Sequence, residues 1–312
     1  MSANVISGPR KKKLSTRIWE NKWTYIMLFP GFLYYIIFAY GPMPGLQLAF
    51  KNFNARLGIW GSSWVGIRNY TFLFRDPVFW RAMQNTVIIS LQRICIQFPM
   101  PIILALLINE LNSRRYKRVL QTIFTFPHFL SWVIVAGIMF NLLTAQGIIS
   151  NILVAFGFDS LNLLAMPSII RPMLYATDIW KGAGWSAIIY MAAIAGIDQE
   201  QYESAIIDGA TRMQRIFYIT IPGIRETIII LFILAWGGIM NAGFDQIFNL
   251  GNVATQSRID ILDWYIYRIT FQSSTDFGFS TAVALMRSIL NFTFLLTANH
   301  ISRMVAKTGL FV

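Results

Sequence analysis

The amino-acid sequence predicts an all-α, polytopic membrane protein with a helical-bundle architecture, and three observations carry that reading. Hydrophobic residues make up 55% of the 312 and charged residues only 13%, whereas a soluble globular chain carries about 25% charge. Mean hydropathy is +0.53. The apolar residues fall in blocks long enough to cross a bilayer, which takes about 20 residues as a helix. Disorder is excluded by the same numbers: disordered chains are poor in aromatics, and 15% of this one is aromatic.

Residues 1–22 form a basic tail carrying Arg10, Lys11, Lys12, Lys13, Arg17 and Lys22; residues 23–312 read as one membrane domain. The stretch from Trp23 to Phe50 holds no charge and supplies a first span, expected at 24–44. No small-x-small cleavage pattern follows it, so it is expected to be retained rather than removed as a signal peptide. Between this block and the next lies 45–81, where Trp60, Trp64, Phe72, Phe74 and Trp80 stand among isolated arginines. That is the composition of an interfacial helix, either an aromatic belt or a contact for an external partner. Further apolar blocks at 82–108, 119–143, 174–197, 225–244 and 280–302 bring the expected number of spans to six. The uncharged run 119–158 is too long for one helix, and Gly147 and Asn151 are expected to turn its second part into an external re-entrant or surface segment.

Orientation follows from the distribution of Lys and Arg, which gather on the cytoplasmic side. With the N-terminus inside, the inner segments hold 15 of them: the tail, Arg114–Arg118, the loop with Arg212, Arg215 and Arg225, and the C-terminus with Arg303 and Lys307. The outer segments hold 8. Both termini are therefore expected in the cytoplasm. The net charge of +12 does not point to nucleic acid, because the basic residues lie between apolar blocks rather than on one soluble face. One cysteine, Cys95, cannot form an intrachain disulfide, and with only His128 and His300 no metal-ligand cluster is expected.

Between the fourth and fifth blocks, residues 198–222 read as two short helices with a break. Asp198 can cap the first, with Gln201 in capping-box position. Gly209 can end it in the left-handed conformation. Thr211 with Gln214 repeats the capping pattern, and Pro222 suits the first turn of the next helix. Tyr202, Ala205, Ile206 and Ala210 follow helical spacing, as a docking face would. Small residues at Ser204, Ala205, Gly209 and Ala210 permit close backbone approach.

This segment resembles the EAA loop of the permease subunits of binding-protein-dependent ABC importers: E-A-A, three residues, G, nine residues, I-x-L-P. The matching positions are Glu203, Ser204, Ala205, Gly209, Ile219, Ile221 and Pro222, and the extended form adds Asp208 and Ala210. Ser204 replaces alanine and Ile221 replaces leucine. Trp23–Gly31, Val65–Tyr70 and Asn241–Asn249 further resemble carbohydrate-uptake permeases, the last of them the branch that imports polysaccharide fragments, including uronate-bearing oligosaccharides. The resemblance implies a type I ABC importer permease fold. It implies that the loop, with Tyr202 and Glu203 among its contacts, docks on a cytoplasmic ABC ATPase dimer. It also implies an extracytoplasmic solute-binding protein as partner.

The chain has no phosphate-binding Gly-x-x-x-x-Gly-Lys-Ser/Thr sequence. ATP and Mg are therefore expected on the partner ATPase, no cofactor on this chain, and no enzymatic activity of its own. One loop against two ATPase clefts implies a second permease, in this family usually a non-identical one. Polar residues within the apolar blocks are candidates for the substrate path, because charge in hydrocarbon is costly. These are Asn85, Gln92, Arg93, Asn141, Lys181, Asn241, Arg287 and Asn291, with Asp178 beside them. Trp180, Trp185 and Trp236 offer stacking faces for a sugar. The same residues could instead hydrogen-bond helix to helix or snorkel to an interface. Arg93, Lys181 and Arg287 together would favour an acidic carbohydrate. The alternative, an ATP-independent secondary transporter or channel, uses the same charges but leaves the doubly capped loop without a purpose.

Overall fold

The computed structural model describes residues 14–273 and 276–306; Arg10, Lys11, Lys12, Lys13 and Lys307, on which part of the orientation argument rests, lie outside them. Four helical stretches are long and apolar enough to cross a membrane: Lys22–Phe50, Pro77–Asn109, Trp132–Ala155 and Phe277–Met304. A fifth candidate is a pair, Arg212–Gly223 and Arg225–Gly237, bent by 64°. The helix Ile170–Ala195 has 26 residues, about 39 Å at 1.5 Å per residue, but Asp178 and Lys181 in its middle make it less apolar than the others.

In chain order the main elements are α1 (Lys22–Tyr35), α2 (Pro77–Gln97), α3 (Pro99–Asn109), α4 (Arg114–Thr125), α5 (Trp132–Leu143), α6 (Ile148–Ala155) and α7 (Ile170–Ala195). They continue with α8 (Gln199–Ile207), α9 (Arg212–Arg215), α10 (Arg225–Gly237), α11 (Phe244–Leu250), α12 (Leu262–Tyr267) and α13 (Phe277–Ala306). Three expectations need correction. The 119–143 block is not one helix: α4 passes into a 3-10 turn at Phe126–Phe129 before α5 begins, since Pro127 has no N–H to continue an α-helical ladder. The 225–244 block ends early, at Gly237, where paired glycines release the chain into turns that lead to Gly243. The break near Gly147 does occur, with α6 following as a separate helix.

The third correction concerns the outer segment, which is not a single interfacial helix, and the chain is not strictly all-α. A 3-10 helix, Met43–Phe50, leads into a two-residue antiparallel pairing of β1 (Lys51–Asn52) with β2 (Ser63–Trp64), followed by the helix Arg68–Arg75. Lys51 explains why this small hairpin holds. Its side chain is buried, donates from Nζ to the Ile59 carbonyl at 2.8 Å, and lies 5.0 Å from the Trp64 ring. Asn69 ties the strand to the following helix by donating to the carbonyls of Ala49 and Lys51. Trp60, Trp64, Phe72, Phe74 and Trp80 remain exposed.

The core lies in three apolar clusters rather than one. Ala105, Ala187, Tyr190, Ile194 and Ile224 join α3, α7 and the start of α10. Ile89, Leu174, Ala242 and Ile247 join α2, α7 and α11. Phe79, Ala82, Leu262 and Val283 join α2, α12 and α13. The first apolar helix, α1, contributes no buried residue to any of them. α7 sits at the centre, against α2, α3 and α4, and Gly184 makes the α4 crossing possible. A Cβ there would overlap the Phe124 carbonyl, a backbone atom that no rotamer change can move. Gly184→Val is expected to cost at least about 1–3 kcal/mol, the range for overpacking, and to lower the melting temperature of the purified complex. Gly182→Ala is the control, because nothing lies within 4 Å of that position; equal melting of both variants would contradict the packing assignment.

Candidate functional site

Two regions carry the sequence candidates, one in the loop between α7 and α10 and one between the long helices. In the loop, the Asp198 carboxylate caps α8 by accepting from the Glu200 amide at 3.1 Å; the capping box with Gln201 does not close. Gly209 has φ +79°. The amide of Gly209 donates to Ile206 O and that of Ala210 to Ala205 O at 2.8 Å, the paired bonds of a Schellman C-cap. Immediately afterwards Thr211 and Gln214 form a complete capping box. The backbone direction is thus fixed on both sides of the break.

Beyond α9 the chain runs through a π turn, Ile216–Thr220, into Pro222. A proline ring crowds the carbonyl four residues back and lacks the donor that would meet it, which is a physical cause for the widened turn. Thr220 is buried there, and its Oγ1 lies 2.9 Å from Tyr202 Oη, so the turn is fastened to α8. Of the face Tyr202, Ala205, Ile206 and Ala210, three members are half-buried, and Ile206 alone is open. The exposed surface is instead Glu203, Ser204, Ile206, Ile207 and Asp208, with Ile207 86% exposed. Beside it a cavity of about 340 Å³ is lined by Ala205, Asp208, Gly209, Ala210, Gln214 and Ile219, among others. Pro222 lies exposed one turn before α10.

Between the helices, two cavities of about 400 and 310 Å³ share Arg93, Asp178 and Asn241 in their walls. Arg93, on α2, faces Asp178, on α7, at 3.5 Å and donates to Gln246 Oε1. Gln246 is buried on α11 and donates to Leu174 O and Thr177 Oγ1, each at 2.7 Å. Gly243, with φ +83°, brings its backbone against the guanidinium; a Cβ there would overlap it. Arg287, on α13, pairs with Asp263 at 2.5 Å and donates to Asn241 Oδ1. The second cavity is thus lined by two arginines and three carboxylates, those of Asp178, Asp245 and Asp263.

The larger cavity has a further property. Ser90 Oγ, Arg93 Nε and Gln97 Nε2 are buried and make no hydrogen bond of normal length. All three line that cavity, and their spacing of three and four residues puts them on one face of α2. Buried polar atoms are rarely left without partners, so a stripe of three marks where a polar ligand or water belongs.

The structure brings Arg93, Asp178, Asn241 and Arg287 together and places the other path candidates elsewhere. Asn85 is a buried connector, donating to the carbonyls of Ser257 and Asp260 and accepting from Arg171. Gln92 accepts from Tyr175 Oη and borders neither cavity. Asn141 is exposed and bonds back to Gly137 O, and Trp180 is exposed. Lys181 donates to His128 O at 2.7 Å. Asn291 accepts from the Met240 amide, pinning the turn that carries Asn241. Trp185 stacks on His128, and Trp236 packs in an apolar cluster. The sequence reading did not single out Ser90, Gln97, Trp132, Gly243, Gln246 or Asp263. For Gly243 and Gln246 a signal existed, since both lie within the 241–249 stretch; the serine and Gln97 needed the helix face.

Known proteins resemble the chain over most of its length. Residues 97–307 match the family described as binding-protein-dependent transport system inner membrane component. Protein LplB of Bacillus subtilis is 40% identical over 94% of this chain and 92% of its own. The polygalacturonan/rhamnogalacturonan transport system permease protein YteP of the same organism is 35% identical over 100% of this chain and 97% of its own. A chain of the bacterial alginate ABC transporter, crystallised in complex with the alginate pentasaccharide-bound periplasmic protein, superposes with a TM-score of 0.86. It is 38% identical, over 96% of this chain and 100% of that one.

Proposed function

Because the chain belongs to the binding-protein-dependent transport system inner membrane component family, we propose that it forms half of the translocation path of an ABC importer for an oligosaccharide, possessing no ATPase activity itself. The observation that carries the path assignment is the stripe of Ser90, Arg93 and Gln97 on the wall of the larger cavity, whose buried Oγ, Nε and Nε2 atoms make no hydrogen bond of normal length, with Gln97 lying beside Asp178. Sugar hydroxyls both donate and accept, and they suit a row of such groups. The second half of the path belongs to another, non-identical permease, with an extracytoplasmic solute-binding protein delivering substrate from outside. A cytoplasmic ATPase dimer, holding ATP and Mg, docks on residues 198–222 through Tyr202, Glu203, Ser204, Ala205, Asp208, Gly209, Ala210, Ile219 and Pro222.

Six spans with both termini inside fit this assembly. Four are the apolar stretches, the fifth is the α10 limb of the bent pair, and the sixth is α7, whose Asp178 faces the cavities and whose Lys181 is held by the His128 carbonyl. Residues 1–22 then form a cytoplasmic tail and 23–312 the permease domain. Support for an acidic substrate comes from the relatives named for polygalacturonan, rhamnogalacturonan and alginate. In this chain it comes from Arg93 and Arg287, while Lys181 stands outside both cavities. Each arginine already has a carboxylate partner, so a uronate enters by exchanging places with Asp178 or Asp263.

The test is ATP-driven uptake into vesicles holding the complete complex and its binding protein, with oligogalacturonate and a neutral oligosaccharide of equal length. Gln97→Leu is expected to raise KM about three- to tenfold, the worth of one hydrogen bond of roughly 0.5–1.5 kcal/mol. An unchanged KM, or uptake with no ATPase present, would overturn the assignment.

A further inference from the structure

A further cavity, of about 600 Å³, lies on the other side of the α2–α7 pair from the sugar path and is bordered by Arg171, Arg258, Gln92 and Tyr175 at one end and by Ile96 and Ile179 farther along. The two helices run in the same direction here: Gln92 meets Tyr175, and one residue further along α2, about 100° around it, Arg93 meets Asp178.

Among the described residues its two arginines have no carboxylate partner. Arg171 donates only to neutral groups, from Nε to the Arg258 carbonyl at 3.0 Å and from Nη2 to Asn85 Oδ1 at 2.7 Å. Among the described residues the ion pairs engage Arg81, Arg93, Arg268 and Arg287, and neither Arg171 nor Arg258. These two stand close enough for their charges to repel. A pair of like charges at the rim of a slot is stabilised by an anion that bridges them.

The polarity of the slot changes along its length. From Arg171 to Ile179 is eight residues of helix, about 12 Å, over which the lining passes from guanidinium through phenol and amide to branched hydrocarbon. An oligosaccharide, polar along its whole length, mismatches the apolar floor. An amphiphile with an anionic head matches both ends. We propose that this slot holds an anionic phospholipid, its phosphate against Arg171 and Arg258 and the first methylenes of an acyl chain along Ile96 and Ile179. Guanidinium groups bind phosphate by charge-assisted, often bidentate hydrogen bonds. The site depends on α2 and α7 lying in the bilayer, and it is independent of which sugar the path carries.

The test is native mass spectrometry of the complete transporter complex in mixed micelles with either phosphatidylglycerol or phosphatidylcholine. The wild-type complex is expected to retain phosphatidylglycerol over phosphatidylcholine. Arg258→Gln should weaken that retention about fivefold, the worth of one basic residue near a charged surface, and Arg258→Lys should keep it. Arg258 is the position to change, because Arg171 also holds Asn85. Equal retention of the two lipids, or phosphatidylglycerol retention unchanged in Arg258→Gln, would overturn the site. Displacement of the lipid by trigalacturonate would show that the slot takes sugar, which also overturns it.

Discussion

Replacing Gly209 with valine is expected to reduce ATP-driven uptake at least tenfold while leaving the amount of chain in the membrane unchanged. The reason is conformational, since nothing lies within 4 Å of where a Cβ would stand. A φ of +79° costs an L-residue roughly 1–2 kcal/mol, and a β-branched side chain is a stronger outlier there. The strain is relieved by abandoning the left-handed conformation, which breaks the bonds from Gly209 and Ala210 back to α8 and swings α8 relative to α9. The long helices do not pass through this point, so insertion survives. A loop that converts ATPase closure into movement of membrane helices must be stiff, because alternating access is largely rigid-body rocking. Gly209→Asn, which tolerates the left-handed region, is expected to keep most of the activity. Wild-type uptake by the valine variant, with the complex intact, would remove the coupling role from this bend.

The loop and the cavity differ in how far their geometry was legible in the sequence. Capping, the glycine bend and Pro222 are local: each depends on residues within four positions, and the Thr211–Gln214 box and the Gly209 conformation occur as read. Two local readings miss: Gln201 loses to an arrangement in which the Asp198 carboxylate takes the nearer Glu200 amide, and Pro222 sits in a short turn that ends at Gly223 rather than in the first turn of α10. The apolar blocks were equally legible as existing, but not as continuous. Pro127 and Gly237–Gly238 interrupt two of them, because apolarity measures affinity for hydrocarbon and says nothing of backbone continuity.

The cavity depended on contacts between residues far apart in sequence. Asn85 and Arg93 looked alike as polar residues in one apolar block. Only the fold shows that Asn85 is consumed by the 257–260 segment, whereas Arg93 stands in the wall of two cavities. Gln246 was hidden because a buried glutamine has no signature until its acceptors, 69 and 72 residues away, are in place.

Arg93→Gln is expected to lower uptake of a uronate-bearing oligosaccharide at least tenfold, with a smaller loss for the neutral sugar. The arginine stands in the wall common to both cavities and holds three elements at once: α7 through Asp178, α11 through Gln246, and the Gly243 backbone packed on its guanidinium. Removing its charge takes away the ion-pair partner of Asp178 and leaves it with Gln97 and the more distant charge of Lys181. Breaking one side of a fully buried pair costs about 3–5 kcal/mol, and here the figure is smaller because the Asp178 side chain is 30% exposed. The path therefore loses a cation and gains a free carboxylate that repels an acidic sugar. Arg93→Gln combined with Asp178→Asn removes that repulsion and should restore neutral-sugar uptake more than acidic-sugar uptake.

Gly243→Ala approaches the same group from the other side, displacing the guanidinium without changing its charge, and should raise KM for both sugars. A purely structural arginine, bonding helix to helix, would give another pattern. All three variants would then lower the quantity or melting temperature of the complex, and KM would stay constant for whatever complex remained. A selective loss of acidic-sugar uptake, with melting preserved, is what a path residue produces; equal loss for both sugars in Arg93→Gln would reduce Arg93 to a brace.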